Sequence, residues 1–212
     1  ARGGDWHTRN WQQHLTILSG EIGNQNSRSD NSYHVVTAKN VDNTAILDGF
    51  KITHGYASFE HNEGGGLYIS NSSPQLRNLL IFENFADVGG GAYFSKSDSV
   101  IENVSVYWND AHDGGGGFRL GLTNLQIKNS TFYGNYSSSD GGAIFLEWYA
   151  NADLDNTYFI SNSSFWGGAI CLDHESTVNI TNSNFSENSG SYGGAMCSKL
   201  ANINIVDSTF SE

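Results

Sequence analysis

The chain has 212 residues, enough for one sizeable core, and carries 22 acidic against ten basic side chains, for a formal net charge of −12. This acidic balance excludes a basic nucleic-acid face and a polybasic membrane patch. The sequence contains no run of 18 apolar residues, so it predicts no membrane-spanning helix.

The first 34 residues lack the regular pattern that fills the rest of the chain. Trp6 and Trp11 bracket a polar segment, residues 15–18 form a short apolar run typical of a strand, and residues 19–32 are rich in Asn, Ser and Gly, as loops are. We therefore predict an irregular amino-terminal part over residues 1–34, followed by regular coils over residues 35–212.

A pair of glycines recurs every 25 or 26 residues. The pairs open at Gly64, Gly90, Gly115, Gly141, Gly167 and Gly193. A fixed period of this length indicates a repeat architecture. Between the glycines, apolar residues recur at strand spacing and never at helical spacing for long. The pattern predicts an all-β parallel solenoid with one coil per unit of about 26 residues, each coil burying its apolar residues by stacking on its neighbours.

Each unit also carries asparagine at two fixed places. The first column is Asn78, Asn103, Asn129, Asn156 and Asn182, and the second is Asn84, Asn109, Asn135, Asn162 and Asn188. Asparagine tolerates the left-handed backbone conformation that a repeated corner needs. Stacked amides also bond each other along a ladder. We predict that both columns are structural ladders.

The combination of Gly-Gly-Ala-Ile (residues 141–144) with Phe-x-x-Asn (residues 159–162) resembles the repeat of the chlamydial polymorphic outer-membrane proteins. It is similar to that of many secreted bacterial right-handed parallel β-helix proteins, over residues 64–210. The resemblance implies a single-stranded right-handed parallel β-helix of about seven coils in a secreted or cell-surface bacterial protein. Residues 9–11, 16–23 and 30–36 resemble the amino-terminal part of such proteins, which implies that the chain starts inside its domain. Residues 208–212 stop short of the asparagine expected in the last unit, and an uncapped solenoid exposes a strand edge, so we expect either further chain or another subunit at that end.

One outward column of the solenoid forms a candidate ligand strip. The alignment places Tyr68, Phe94, Arg119 and Phe145 in this column, followed by Cys171 and Cys197. Arg119 between two rings fits a cation–π stack, and flat rings fit a polysaccharide. Packing under a loop or against another domain is the alternative. The two cysteines fit either a packed apolar pair or a disulfide.

Carboxylates precede the glycines at one corner of successive coils. The candidates are Asp87, Asp110, Asp113 and Asp140. Calcium prefers oxygen ligands of this kind, so these residues form a candidate calcium site. The alternative is a row of solvated turn residues, because Asp favours turns.

The sequence shows no convergent catalytic set. Polysaccharide lyases on this fold need a basic residue and carboxylates, and the nearest candidates are Arg119, Lys128, Glu147 and Asp173. We assign no catalytic residue and predict a non-enzymatic extracellular or cell-surface structural and adhesion module, with filament formation as a further expectation. A polysaccharide-binding or lyase-like β-helix is the alternative. The expected partners are further domains or subunits at the open helix ends, and polysaccharide.

Overall fold

A computed structural model describes residues 10, 13–14 and 16–212. Trp6, Trp11 and Leu15, which the sequence analysis singled out, lie outside these residues. The elements in the described part are β-strands, apart from the 3₁₀ turn Phe59–His61. Among the same residues there is no helix with the length and apolarity that a membrane crossing requires.

The strands form four parallel sheets, and each coil passes through them in the same order. We number the sheets from the strand that follows the glycine step. Sheet 1 contains Val36–Lys39, Leu67–Ser70, Ala92–Ser95, Phe118–Gly121, Ile144–Glu147, Ile170–Leu172 and Met196–Ser198. Sheet 2 contains Ile46–Asp48, Gln75–Arg77, Val100–Glu102, Asn124–Lys128, Asn151–Asp155, Thr177–Thr181 and Asn202–Val206.

The other two sheets complete each coil. Sheet 3 contains Thr16–Ser19, Phe50–Thr53, Leu80–Phe82, Ser105–Tyr107, Thr131–Tyr133, Tyr158–Ile160, Asn184–Ser186 and Thr209–Ser211. Sheet 4 contains Tyr56–Ala57, Phe85–Ala86, Asp110–Ala111, Tyr136–Ser137, Ser163–Trp166 and Ser189–Tyr192. In the described part of the chain, six coils pass through all four sheets, and partial coils add strands to sheets 1, 2 and 3.

The all-β parallel solenoid predicted from the repeat is confirmed. Phe118 pairs with Ile144 and Ile144 with Ile170, which gives the expected period of 26 residues. The structure has about six complete coils, whereas the resemblance implied about seven. Thr16–Ser19 already pairs with Phe50–Thr53, so part of the predicted irregular region joins sheet 3.

The core is a column of side chains that stack coil upon coil. Phe132, Phe159 and Phe185 are buried, and their ring centroids follow one another at 5.1 and 4.6 Å with nearly parallel planes. In sheet 2 the inward residues Ile127 and Leu154 are buried and lie in register. Burying apolar surface contributes roughly 25 cal/mol per Å², and here most of that burial requires a neighbouring coil.

The glycine step fixes the register of sheet 1 and corrects one alignment. The left-handed glycine is Gly64 in one coil (φ 67°), Gly89 in the next (φ 67°) and Gly115 in the third (φ 66°). The second unit therefore opens at Gly89, and the prediction of Gly90 is wrong. A Cβ on Gly89 would lie 2.6 Å from the carbonyl oxygen of Ala92, and glycine avoids this collision.

This one-residue shift exchanges the two faces of the strand Ala92–Ser95. Ala92 and Phe94 point into the core and are fully buried, and Tyr93 points outward beside Tyr68 and Arg119. A strand alternates its side chains, so a slip of one residue moves every side chain to the other face. The placement of Phe94 in the outward column is therefore wrong, and Tyr93 takes its place.

Candidate functional site

The outward column of sheet 1 contains Tyr68, Tyr93, Arg119 and Phe145, in register from coil to coil. Three of the four predicted strip residues are thus brought together. Phe94 lies instead on the inner face of the sheet, with its ring centroid 5.4 Å from that of Phe118.

Arg119 is held by the protein itself. Its guanidinium lies 4.4 Å from the centroid of the Phe145 ring, and its Nη2 is 2.5 Å from Oε1 of Glu147. The side chains of Arg119 and Glu147 are only 12 % and 14 % exposed. A Cβ on Gly114 would lie 2.9 Å from Nη1 of Arg119, so the glycine turn lies against the guanidinium. Each charge here compensates the other, and removing one would leave the other poorly solvated.

The amino-terminal half of the strip is aromatic and partly open. Tyr68 stacks on Tyr93 with ring centroids 5.9 Å apart, and His34 lies 4.9 Å from Tyr68. Burial raises the pKa of Tyr93 to about 12, and the carboxylate of Glu63 adds to this shift. The Tyr93 hydroxyl therefore keeps its proton at neutral pH.

At the other end of the strip, Cys171 and Cys197 are register partners in neighbouring strands and are not bonded to each other. Asp140 accepts a hydrogen bond from Sγ of Cys171 at 3.4 Å and pairs with Nζ of Lys199 at 3.0 Å. Burial and then the Asp140 charge raise the pKa of the Cys171 thiol. For Asp140, burial raises the pKa, but hydrogen bonds from Ser139, Lys199 and Cys171 outweigh it and lower the pKa. The Cys171 thiol therefore packs as a neutral group.

The four aspartates of the predicted calcium corner do not share one column. Asp110 lies within sheet 4 between Phe85 and Tyr136, where burial raises its pKa. The backbone N–H of Asp113 donates to the carbonyl of Asp87 at 2.6 Å, while Asp140 is engaged by Lys199. Within the described ranges, no group of three or more His, Cys, Asp or Glu is placed to hold a metal ion. Calcium binding stays a prediction from the sequence.

Of the four residues nearest to a lyase set, the structure brings Arg119 and Glu147 together. Lys128 lies in sheet 2, in register with Asp155. Asp173 lies beyond the sheet 1 strand Ile170–Leu172 and accepts a hydrogen bond from the backbone N–H of His174 at 2.8 Å.

The second asparagine column is a buried ladder at the start of sheet 4. Asn109 donates through Nδ2 to Oδ1 of Asn135 at 3.0 Å, and Asn135 donates in the same way to Asn162 at 2.9 Å. The full run of amide-to-amide bonds joins Asn84, Asn109, Asn135, Asn162 and Asn188. These amides also satisfy backbone groups of neighbouring coils.

The first asparagine column lies at the turn between sheets 2 and 3. Its members have φ between 49° and 55°, in the left-handed region: Asn78, Asn103, Asn129, Asn156 and Asn182. Asn103 donates to Asn78 at 2.6 Å and Asn156 to Asn129 at 2.8 Å. Asn182 donates to the carboxylate of Asp155 at 3.0 Å.

An aromatic surface at the turn between sheets 3 and 4 was missed by the sequence analysis. We call it the aromatic corner. Its members are Tyr56, Phe82, Phe85, Tyr107, Trp108, Tyr133 and Tyr136. In three successive coils an aromatic residue stands two positions before the ladder asparagine, as in 82–84, 107–109 and 133–135, and this was the available signal.

The comparisons with known proteins agree with this architecture. The family model for the right-handed beta helix region matches residues 65–212, which is more than half of the chain. No curated protein and no solved structure matches the chain. The chain belongs to the family of proteins with a right-handed β-helix region.

Proposed function

We propose that the chain is a non-enzymatic structural and adhesion module of a secreted or cell-surface protein, bacterial as the resemblance of its repeats implies. A rod of stacked coils presents its outer faces to partners, and binding rather than catalysis is its role. Filament formation and calcium binding stay predictions from the sequence.

The observation that carries this proposal is the pairing of the charged groups on the outer face of sheet 1. A general acid or base must reach a proton of the substrate. Nη2 of Arg119 instead lies 2.5 Å from Oε1 of Glu147, and both side chains are little exposed. In the same way, Nζ of Lys199 lies 3.0 Å from Oδ1 of Asp140. The groups best suited to acid–base chemistry are engaged with each other.

The coil lengths point the same way. From residue 64 onward, register partners lie 25 to 27 residues apart, as in Ile101 with Leu76 and Asn151 with Asn124. Coils of nearly equal length leave few long loops to wall a groove, and enzymes bury most of a small substrate in a cleft. A second candidate function, polysaccharide binding, is favoured by the aromatic corner, whose open ring faces suit a sugar.

The test measures adhesion and cleavage on one preparation. Beads coated with the folded chain are passed under flow over surfaces carrying purified polysaccharides or bacterial cells, and beads coated with the heat-unfolded chain are the control. We expect fold-dependent retention on at least one surface. In parallel, the chain is incubated with each polysaccharide and the product size is measured, and we expect no shortening.

Two outcomes contradict the proposal. Retention no better than that of the unfolded chain on every surface removes the adhesion role. Shortening of a polysaccharide that is lost in Arg119→Ala establishes an enzyme instead, because that substitution removes the one guanidinium on the strip.

A further inference from the structure

The rings of the aromatic corner have two different orientations. Phe82 stacks on Tyr107 with centroids 4.9 Å apart and planes 4° apart, so these rings face each other along the solenoid axis. The indole of Trp108 lies at 79° to Tyr107 and at 62° to Tyr133. The indole of Trp108 is therefore not part of the parallel ring stack that Phe82 and Tyr107 form.

The indole of Trp108 rests on the backbone of the next coil. A Cβ on Gly134 would lie 2.8 Å from Cδ1 and 3.0 Å from Nε1 of Trp108, so the ring covers this glycine. Even so, Trp108 is 54 % exposed. The pyrrole edge of the indole therefore lies against Gly134, and about half of the residue remains open to solvent.

Trp108 occupies a position that disfavours a bulky side chain. Its φ is 53°, in the left-handed region, where a large residue is a genuine outlier. The left-handed conformation recurs at this turn in later coils, at Ser161 and Glu187, so it belongs to the repeat and does not by itself mark a ligand site. The equivalent turn residues in the two flanking coils are Glu83 and Gly134, both with positive φ, so the aromatic side chain belongs to this coil alone among the three.

Residues with hydrogen-bonding side chains are neighbours of Trp108 in the chain and in the adjacent coils. The carboxylate of Glu83 lies in the preceding coil and is 3.6 Å from His54, and Asp110 lies two residues after Trp108 in sheet 4. Tyr133 and Tyr136 are 41 % and 48 % exposed. The carboxylates accept hydrogen bonds, and together with the net charge of −12 they repel an anionic ligand.

We propose that the aromatic corner binds an uncharged polysaccharide, with one sugar ring stacked on Trp108. This inference rests on the adhesion function proposed above and names its ligand. A sugar ring has C–H groups on its face and hydroxyls at its rim, so it matches an open indole flanked by Glu83, Asp110 and tyrosine hydroxyls. The apolar face of the sugar would contact the indole, while its hydroxyls would reach the polar groups beside it.

The test compares two exposed tryptophans. Trp148 is the matched control, because it has φ 53°, is 49 % exposed and stacks on His174 at another corner, after sheet 1. Affinity electrophoresis through gels with mixed-linkage β-glucan, galactomannan or amylose measures binding, and alginate is the anionic comparison. We expect retardation by at least one neutral polysaccharide and none by alginate.

Trp108→Ala is expected to weaken that binding about tenfold or more, in line with an aromatic contact of roughly 1.4 kcal/mol, while Trp148→Ala stays within about twofold. Trp108→Phe keeps a smaller ring and is expected to fall between the wild type and Trp108→Ala. Circular dichroism and the thermal midpoint are measured for each variant, so that a folding defect is separated from a lost contact.

The inference is overturned if no neutral polysaccharide retards the chain, if Trp108→Ala binds as the wild type does, or if both alanine variants weaken equally. Bead retention on cells that is lost in Trp108→Ala but survives enzymatic removal of surface polysaccharide points to a protein partner and also overturns it. If wild-type beads adhere and Trp108→Ala beads adhere equally, this inference fails while the proposed function stands. If wild-type beads adhere nowhere, the proposed function itself fails.

Discussion

The two asparagine ladders repeat with the same period but are maintained by different physical needs. We call the second asparagine column, Asn84 to Asn188, the inner ladder. In it, Asn109 is 1 % exposed, and its Nδ2 donates to the carbonyl of Ile81 at 2.9 Å as well as to Asn135. Its Oδ1 accepts from both the backbone N–H and Nδ2 of Asn84. Each amide from Asn84 to Asn162 thus works as donor and acceptor in a buried place.

We call the first asparagine column, Asn78 to Asn182, the outer ladder. Successive coils keep the left-handed backbone conformation at this position, whereas the residue type varies. Asn129 and Asn156 are exposed, with φ of 50° and 49°. Asp207 takes the same position in the last coil with φ 48°, and it has no amide to donate. The comparison teaches that the inner column selects asparagine for its hydrogen bonds, and the outer column for its tolerance of a left-handed backbone.

The largest expected effect is at the inner ladder. Asn135→Ala removes the acceptor of the Asn109 backbone N–H and the side-chain donor to the carbonyl of Val106, in a fully buried place. Each buried group left without a partner costs about 1–3 kcal/mol, so we expect a loss of about 3 kcal/mol or more in the free energy of unfolding. Urea denaturation followed by circular dichroism measures it.

Tryptophan fluorescence on the same samples is the control, because coincident transitions show that the coils unfold together. A loss below about 1 kcal/mol contradicts the account of the inner ladder, since water would then have replaced the amide.

The fold was predictable because its signals repeat. The glycine step and the two asparagine columns recur in coil after coil, so one misplaced residue does not hide the period. The register of one strand was not predictable, because residues 89–91 are all glycine and satisfy two alignments. Of these three glycines Gly89 has the left-handed φ, and Ala92 pairs with Leu67, two facts that the sequence does not contain.

The candidate site was predictable only where the 26-residue period alone decides which residues are neighbours. Arg119 beside Phe145 follows from the period, but the ion pair of Arg119 with Glu147 depends on which way two long side chains turn. The predicted calcium site assumed that all four aspartates lie at one corner, whereas Asp110 lies in a strand. The aromatic corner could have been found from the aromatic residues that stand two positions before three of the inner asparagines, but the position of Trp108 against Gly134 could not.

An intermediate effect is expected at the outer ladder. Asn129→Ala places a residue without a stabilising side chain in a left-handed conformation, and this costs roughly 1–2 kcal/mol for an ordinary residue. The amide that accepts from Asn156 is exposed, and water replaces it. We expect a loss of about 1 kcal/mol by urea denaturation, well below that of Asn135→Ala in the same coil. Equal losses at the two positions would contradict the comparison.

The smallest effect is expected for Asn129→Gly. Glycine adopts a positive φ without steric cost, although it gains freedom in the unfolded chain. The relief of steric cost and the added freedom of the unfolded chain have opposite effects on stability. We therefore expect a change within about 0.5 kcal/mol in the free energy of unfolding, smaller than that of Asn129→Ala. Asn135→Gly is the matched control and is expected to lose as much as Asn135→Ala, because no backbone freedom restores a buried amide. If Asn129→Gly instead loses more than Asn129→Ala, the hydrogen bond from Asn156 rather than the left-handed backbone holds the outer ladder. The two ladders would then differ only in their exposure to water.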